Sequence, residues 1–315
     1  MKCDLVLEGG GVKGIALVGA IAALRDRGYE FGRIAGTSAG AIVAAMAAAD
    51  IPTERMREVM TLDYTSLLDR EAGYIGNLLR FPSRKGLFSG RRLHALIRDT
   101  LAEYGVHTFA DLVYDDSVLR DSHRYRLCVL ASDVTSGRIV RLPWDLDEYY
   151  DLEPEHLPVA TAVFASCAAF LGFQPLRLRT SNGVEHYIAD GGLLSVFPVG
   201  MFDRIDGEAP RQPTFGVRLN AHTDPAAEVN PVRGLFSYTK AIVLTSTTFY
   251  DQMHVDDDFI NARTTFIDTS DVGLFNVWVS REKQDELYER GYAATLRFLD
   301  SFNWDEHLRG YRTVG

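Results

Sequence analysis

Within its first 49 residues the chain runs twice through the same cycle, an apolar strand segment, a glycine-framed turn and an apolar helical segment. Residues 3 to 8 read as a strand, GGGVKG occupies 9 to 14, and residues 14 to 27 carry the spacing of a helix that ends in RDRG, with Gly28 as its C-cap. GRIAG is the second strand, GTSAG at 36 to 40 the second turn, and the Ala-rich run 39 to 49 the second helix. Strand and helix in alternation imply parallel strands, because a parallel pair needs a crossover that a helix supplies. Helices then cover the faces of the sheet.

Further along, RLCVLASDV and GRIVRL read as two strands across a polar turn, and ATAVFASCAA as a buried helix. EHYIADGG is a strand that ends in an acid and two glycines, while TFGVRLN and RTTFIDTS are later strands. Ser280 caps a final helix over 280 to 302. The chain is an α/β protein, and strand order is not readable at this level.

Its 315 residues contain no Pro/Gly/Ser-rich linker or repeat, so one domain over 1–315 is expected, with the motifs inside 4–203 and 204–315 completing the sheet or covering the cleft. A net charge of -10 opposes nucleic-acid binding and adhesion of the whole surface to anionic lipid. Cys3, Cys128 and Cys167 are odd in number and lack metal or redox spacing, which fits a reducing, cytoplasmic setting. No apolar stretch approaches the roughly 18 residues that span a bilayer. Lys13 ahead of GIALVGAIAAL raises a signal peptide, but Glu8, the glycine triplet and the charges just after Leu24 fit one badly.

GGGVKG also satisfies the dinucleotide template G-x-G-x-x-G. That reading needs an acid at the end of the following strand, and Glu30 lies before it. The Walker A pattern fails because Gly14 follows Lys13. No cofactor and no metal are expected.

What ends the second strand instead is G-x-S-x-G, with Gly36, Thr37, Ala39 and Gly40 around Ser38. A sharp turn between strand and helix exposes a serine hydroxyl there, and small neighbours tolerate the strained backbone. A serine that merely caps the helix is equally consistent with the pentapeptide. A nucleophile needs donors for the oxyanion, and a turn stripped of side chains at Gly9, Gly10 and Gly11, closed by Gly14 and followed by a helix N-terminus, offers backbone amides. Lys13 in that first turn either holds an anionic group or is a solvated lysine.

The base is the remaining question. His222, His254 and His307 follow Asp190, so a Ser-acid-His order can be drawn, yet none sits in a glycine-framed turn, and all eight histidines read as surface or satisfied interior groups. Asp190, followed by Gly191 and Gly192 at a strand end, is the better partner. An ordinary Asp titrates near pH ~3.9, so burial must raise its proton affinity. DGG is also a common turn.

The three blocks GGGVKG, GTSAG and DGG, in this order, resemble the patatin-like phospholipases over roughly residues 4 to 203. The resemblance implies a three-layer, modified α/β-hydrolase fold with a mostly parallel central sheet and helices on both faces. It implies hydrolysis of lipid acyl esters without metal, Ser38 as nucleophile, Asp190 as proton acceptor and the Gly9–Gly14 loop as oxyanion hole. KGLFSGRRLHALI is similar to a segment that many bacterial members carry between nucleophile and acid. One departure is Phe170, where members commonly place a proline. That leaves the pair intact and puts the local loop, and hence acyl selectivity, in question.

The expected partner is a lipid or phospholipid. Residues 74 to 93 carry Arg80, Arg84, Lys85, Arg91 and Arg92 with no acid, interleaved with apolar residues. Such a segment can touch an anionic membrane surface peripherally, or be a loop of solvated charges. Rival functions are an acyltransferase on the same dyad and an interaction protein with little turnover. Thr37 stands where carrier-dependent acyltransferases place a histidine, which favours hydrolysis. Oligomeric state is not legible.

Overall fold

The opening cycle folds as β1 (Lys2–Leu7), a 3-10 turn (Gly11–Gly14), α1 (Ile15–Asp26), β2 (Glu30–Thr37) and α2 (Ala39–Ala48). There follow α3 (Thr53–Met60), β3 (Gly86–Phe88), α4 (Arg91–Ala102), β4 (Leu127–Asp133), β5 (Arg138–Leu142), α5 (Leu146–Tyr150), α6 (Val159–Ser166), β6 (Leu171–Phe173), β7 (Leu176–Arg179) and β8 (Glu185–Asp190). The last third supplies β9 (Thr214–Arg218), α7 (Asp258–Asn261), β10 (Thr264–Phe266), α8 (Arg281–Ser301) and α9 (Trp304–Val314). This computed structural model describes residues 1–61, 63–69, 85–114, 123–169, 171–194, 197–204, 208–219, 258–273 and 278–314, with 234, 238 and 276.

The central sheet has the order β10-β9-β1-β2-β4-β8-β7, with β5 also paired to β4. β10, β9, β1, β2 and β4 run parallel, whereas β5 and β8 are antiparallel to β4 and β7 is antiparallel to β8. β1 is central and its last five residues are buried, as strands covered on both faces are. On β9, Phe215 faces Phe298 and Phe302 at the end of α8. The next residue, Gly216, faces Phe197 and Val199 on the opposite side. Layers therefore lie on both faces of the sheet.

One feature of the register positions the site. Val129 to Asp133 of β4 pair with β5, which occupies one edge of that strand. β2 pairs with Leu127 to Leu130 and β8 with Ala131 to Asp133, so both must lie on the other edge. They arrive from opposite directions and meet end to end, Thr37 opposite Leu130 and Asp190 opposite Ala131.

α1 is apolar on every side, and Ile15 to Leu24 are all buried. α8 covers its outer side at close range. A Cβ on Gly19 would lie 2.0 Å from the Tyr288 carbonyl oxygen, and one on Gly291 1.9 Å from that of Ala16. The short β3 and β6 form a separate parallel pair, and His94 of α4 contacts Thr161 of α6 across 3.2 Å.

Alanine in place of glycine stabilises an unpacked helix by about 1 kcal/mol. Gly19→Ala should do the reverse here, with a loss of about 1–3 kcal/mol from forcing α1 and α8 apart. Denaturant unfolding of the purified variant measures the sign.

Candidate active site

Between β2 and α2 the chain turns at Ser38, whose φ of 53° and ψ of -124° lie where L-residues are rarely found. Such a residue costs about 1–3 kcal/mol and persists only where its surroundings enforce it. Small neighbours do so here. A Cβ on Gly36 would fall 2.3 Å from the Gly40 carbonyl oxygen, and one on Gly40 would fall 2.5 Å from that of Glu8. Ser38 stands at the N-cap position but its side chain makes no capping bond, so the reading of a serine that merely caps the helix fails. Its Oγ donates instead to Asp190 Oδ2 across 3.0 Å.

Asp190 ends β8. Its Oδ1 accepts the Gly192 amide at 2.8 Å, so the ordinary DGG turn is present and the second oxygen is left for Ser38. Burial pushes its pKa from 3.8 up to about 6, against the opposing pull of the Gly192 and Ser38 hydrogen bonds. A carboxylate with that affinity can take a proton from a hydroxyl during reaction near neutral pH. Gly191 packs where the strands abut, and a Cβ there would lie 2.4 Å from Leu130 O and 2.8 Å from Thr37 Cγ2.

The glycine loop passes directly beside this pair. A Cβ on Gly9 would sit 3.2 Å from Thr37 O and 3.3 Å from Ser38 Cβ. One on Gly10 would strike Leu219 at 2.3 Å, Gly11 has a φ of 55°, and one on Gly14 would meet Ala39 Cβ at 2.9 Å. The Lys13 amide closes this turn on Gly10 O at 3.1 Å, while the amides that open it lack an acceptor within it. Lys13 is 7% exposed, so the solvated-lysine reading is overturned.

Several residues at the site were not singled out by the sequence. The Ser38 amide donates to Ser166 Oγ at 2.8 Å, so it is occupied. Cys167 Sγ donates to Ser38 O at 3.2 Å. Glu8, buried beside the loop, accepts from the Leu219 amide and from Arg218 Nε, which ties the end of β1 to the end of β9. Ser166 belongs to the Ala-Ser of the ASCAAF stretch that resembles the family's pattern, Cys167 has only its place in the same small-residue run, and nothing marks Arg218.

Five of the six described histidines are engaged elsewhere, His94 with Thr161, His123 with Trp144, His156 with Glu153, His186 with Asp133 and His307 with Phe259, and the sixth, His107, is exposed, its amide donating to Asp111. His222 and His254 lie outside the described residues, as does Phe170. Of the basic segment, Arg80 and Arg84 also lie outside them. Arg92 donates to Ser66 O, the Arg91 amide to Asp69, and Lys85 Nζ stands over the Tyr187 ring. Among the described residues no group of three His, Cys, Asp or Glu side chains is placed to hold a metal, and no helix is long and apolar enough to cross a membrane.

A family profile described as patatin-like phospholipase matches residues 5–203. The uncharacterized protein YqhO of Bacillus subtilis (strain 168) is 32% identical over 309 residues, 96% of this chain and 100% of that one. Among solved structures, VipD from Legionella pneumophila is similar with a TM-score of 0.54 and 19% identity over 95% of this chain and 67% of its own. Full-length ExoU in complex with SpcU from Pseudomonas aeruginosa gives a TM-score of 0.51 and 18% identity, over 98% of this chain and 53% of that one. The chain thus spans about half the length of that structure, and both structural likenesses speak for the fold.

The site glycines differ in how closely they are packed, which separates their variants. Gly36→Ala and Gly40→Ala, each driving a methyl into backbone, should each lose about 1–3 kcal/mol of stability. Gly192→Ala, whose Cβ would meet only Asp190 Oδ1 at 3.1 Å, should lose less than about 1 kcal/mol. Thermal and denaturant midpoints of the three proteins give the comparison.

Proposed function

The chain belongs to the patatin-like phospholipase family, and from that membership we propose that it cleaves acyl esters of lipids with Ser38 as nucleophile and Asp190 as base. The observation that carries the reading is the 3.0 Å hydrogen bond from the Ser38 hydroxyl to a carboxylate whose pKa burial holds at about 6. Nucleophile and base within hydrogen-bond reach form the minimal unit for covalent acyl transfer.

In the proposed reaction Ser38 Oγ attacks the ester carbonyl carbon as its proton passes to Asp190 Oδ2. The carbonyl oxygen takes up the negative charge. Since Ser166 occupies the Ser38 amide, the donors for that charge come from the Gly9–Gly14 loop, with the buried Lys13 adding positive potential close by. Collapse breaks the bond to the alcohol or lysolipid, which leaves with the proton held by Asp190. Water then attacks the acyl-Ser38 ester, Asp190 taking its proton, and a fatty acid is released as Ser38 regains its hydrogen.

Ser38→Ala and Asp190→Asn should each lower turnover of a short-chain nitrophenyl ester by about 10⁴-fold or more. Either variant retaining most of the wild-type rate would reject the dyad. A fluorophosphonate probe should label wild type and not Ser38→Ala, whereas an interaction protein with an inert serine would label in neither. Mass spectrometry of products from a mixed lipid extract separates hydrolysis, which yields fatty acid and lysolipid, from acyl transfer, which yields a newly acylated acceptor.

The pH dependence follows from the base. Asp190 accepts a proton only when ionised, and its pKa stands at about 6, so kcat/KM should rise with pH through that value and level off above it. A profile still flat down to pH ~4, the range of an unperturbed carboxylate, would contradict this assignment.

A further inference from the structure

The ladder between β2 and β4 includes Ile34 N donating to Arg126 O at 2.6 Å. Parallel ladders advance two residues at a time on each strand. The register therefore brings Gly36 N to Cys128 O, and then Ser38 N to Leu130 O. This last rung is interrupted. Ser166 Oγ stands within it, accepting from Ser38 N at 2.8 Å and donating to Leu130 O at 2.5 Å.

Ser166 is fully buried in the last turn of α6, so its hydroxyl has no water to compete for it. The two residues that follow hold the rest of the junction. Cys167 Sγ donates to Ser38 O at 3.2 Å, and Ala168 O accepts from Asp190 N at 3.1 Å. Three consecutive residues thus contact both backbone groups of the nucleophile and the amide of the acid, Cys167 sharing Ser38 O with the Ala41 and Ile42 amides that begin α2.

We propose that Ser166 and Cys167 are positioning residues for Ser38: the Ser166 hydroxyl, spliced into the final rung of the ladder, holds the nucleophile off the edge of β4, and Cys167 anchors its carbonyl. The inserted hydroxyl makes two hydrogen bonds where a direct rung makes one, so Ser38 is displaced from the strand edge and turns at a φ of 53° toward Asp190. With a methyl at position 166, Ser38 N and Leu130 O are complementary and can close on each other. Closure draws Ser38 back toward extended backbone and its Oγ away from the acid. The inference rests on the Ser-Asp reading above.

The test measures ester hydrolysis, fluorophosphonate labelling and pH profiles for wild type, Ser166→Ala, Cys167→Ala and Cys167→Ser. Misplacing a reacting group by ~1 Å can cost about 100-fold, and a loss of that size is expected in kcat and labelling rate for Ser166→Ala. KM should stay within about threefold, because a residue that acts only through the nucleophile alters the transition state rather than ground-state binding. The Ser38 hydrogen bond lowers the proton affinity of Asp190, so its loss should move the acid limb of Ser166→Ala to higher pH. A purely structural residue would leave that limb in place.

Wild-type rates and an unmoved limb in Ser166→Ala overturn the proposal. So does a loss of rate that only tracks the folded fraction. If Ser166→Ala does not fold, the Cys167 pair decides: a drop of about tenfold in Cys167→Ala, recovered in Cys167→Ser with its hydroxyl donor, supports the role. Equal rates in Cys167→Ala and wild type reject it. Failure of wild type to label at Ser38 would sink the dyad itself, whereas labelling with an unaffected Ser166→Ala sinks only the positioning role.

Discussion

Two strands share one edge of β4, and the site exists because they run out at the same place. β2 uses that edge up to Leu130 and β8 uses it from Ala131 onward, in the opposite sense. Their C-terminal ends abut, and the residues just past and at those ends, Ser38 and Asp190, are brought to 3.0 Å. No loop has to reach across the molecule to bring them together. The sheet hydrogen bonds fix the meeting point, so the pair inherits the rigidity of the core.

Such a junction leaves little room, which explains its composition. Gly36, Gly40 and Gly191 each sit where a Cβ would come within 2.6 Å of a backbone oxygen. The same crowding leaves Asp190 only partly exposed, and its loss of hydration outweighs the two hydrogen bonds that favour its charged form. Strain and proton affinity thus have one origin. The backbone strain of Ser38 is held by bonds to its amide and carbonyl from the end of α6, in a setting too tightly packed to relax.

The C-terminal third supports this centre from the side. β9 and β10 extend the sheet beyond β1, and the Leu219 amide just after β9 bonds to Glu8 next to the glycine loop. Leu219 also packs where a side chain on Gly10 would have to go. α8 covers α1, whose N-terminus continues that loop. The loop is therefore fixed on its outer side by residues far beyond the motifs that define it.

The sequence alone was enough to read the two strand-turn-helix cycles, most later strands, and Ser38 and Asp190 as the residues to watch. Those features are local: strand and helix periodicities, and glycines needed for tight turns, are written over stretches of a few residues. Helix 280 to 302 and helix Arg281–Ser301 agree within a residue at each end for that reason. Only the tertiary structure decided between a capping serine and one bonded to an acid 152 residues away, buried Lys13, and gave Ser166 its place in the ladder. Strand order, dehydration and a split hydrogen-bond rung arise between segments distant in the chain, and no local pattern of residues encodes them.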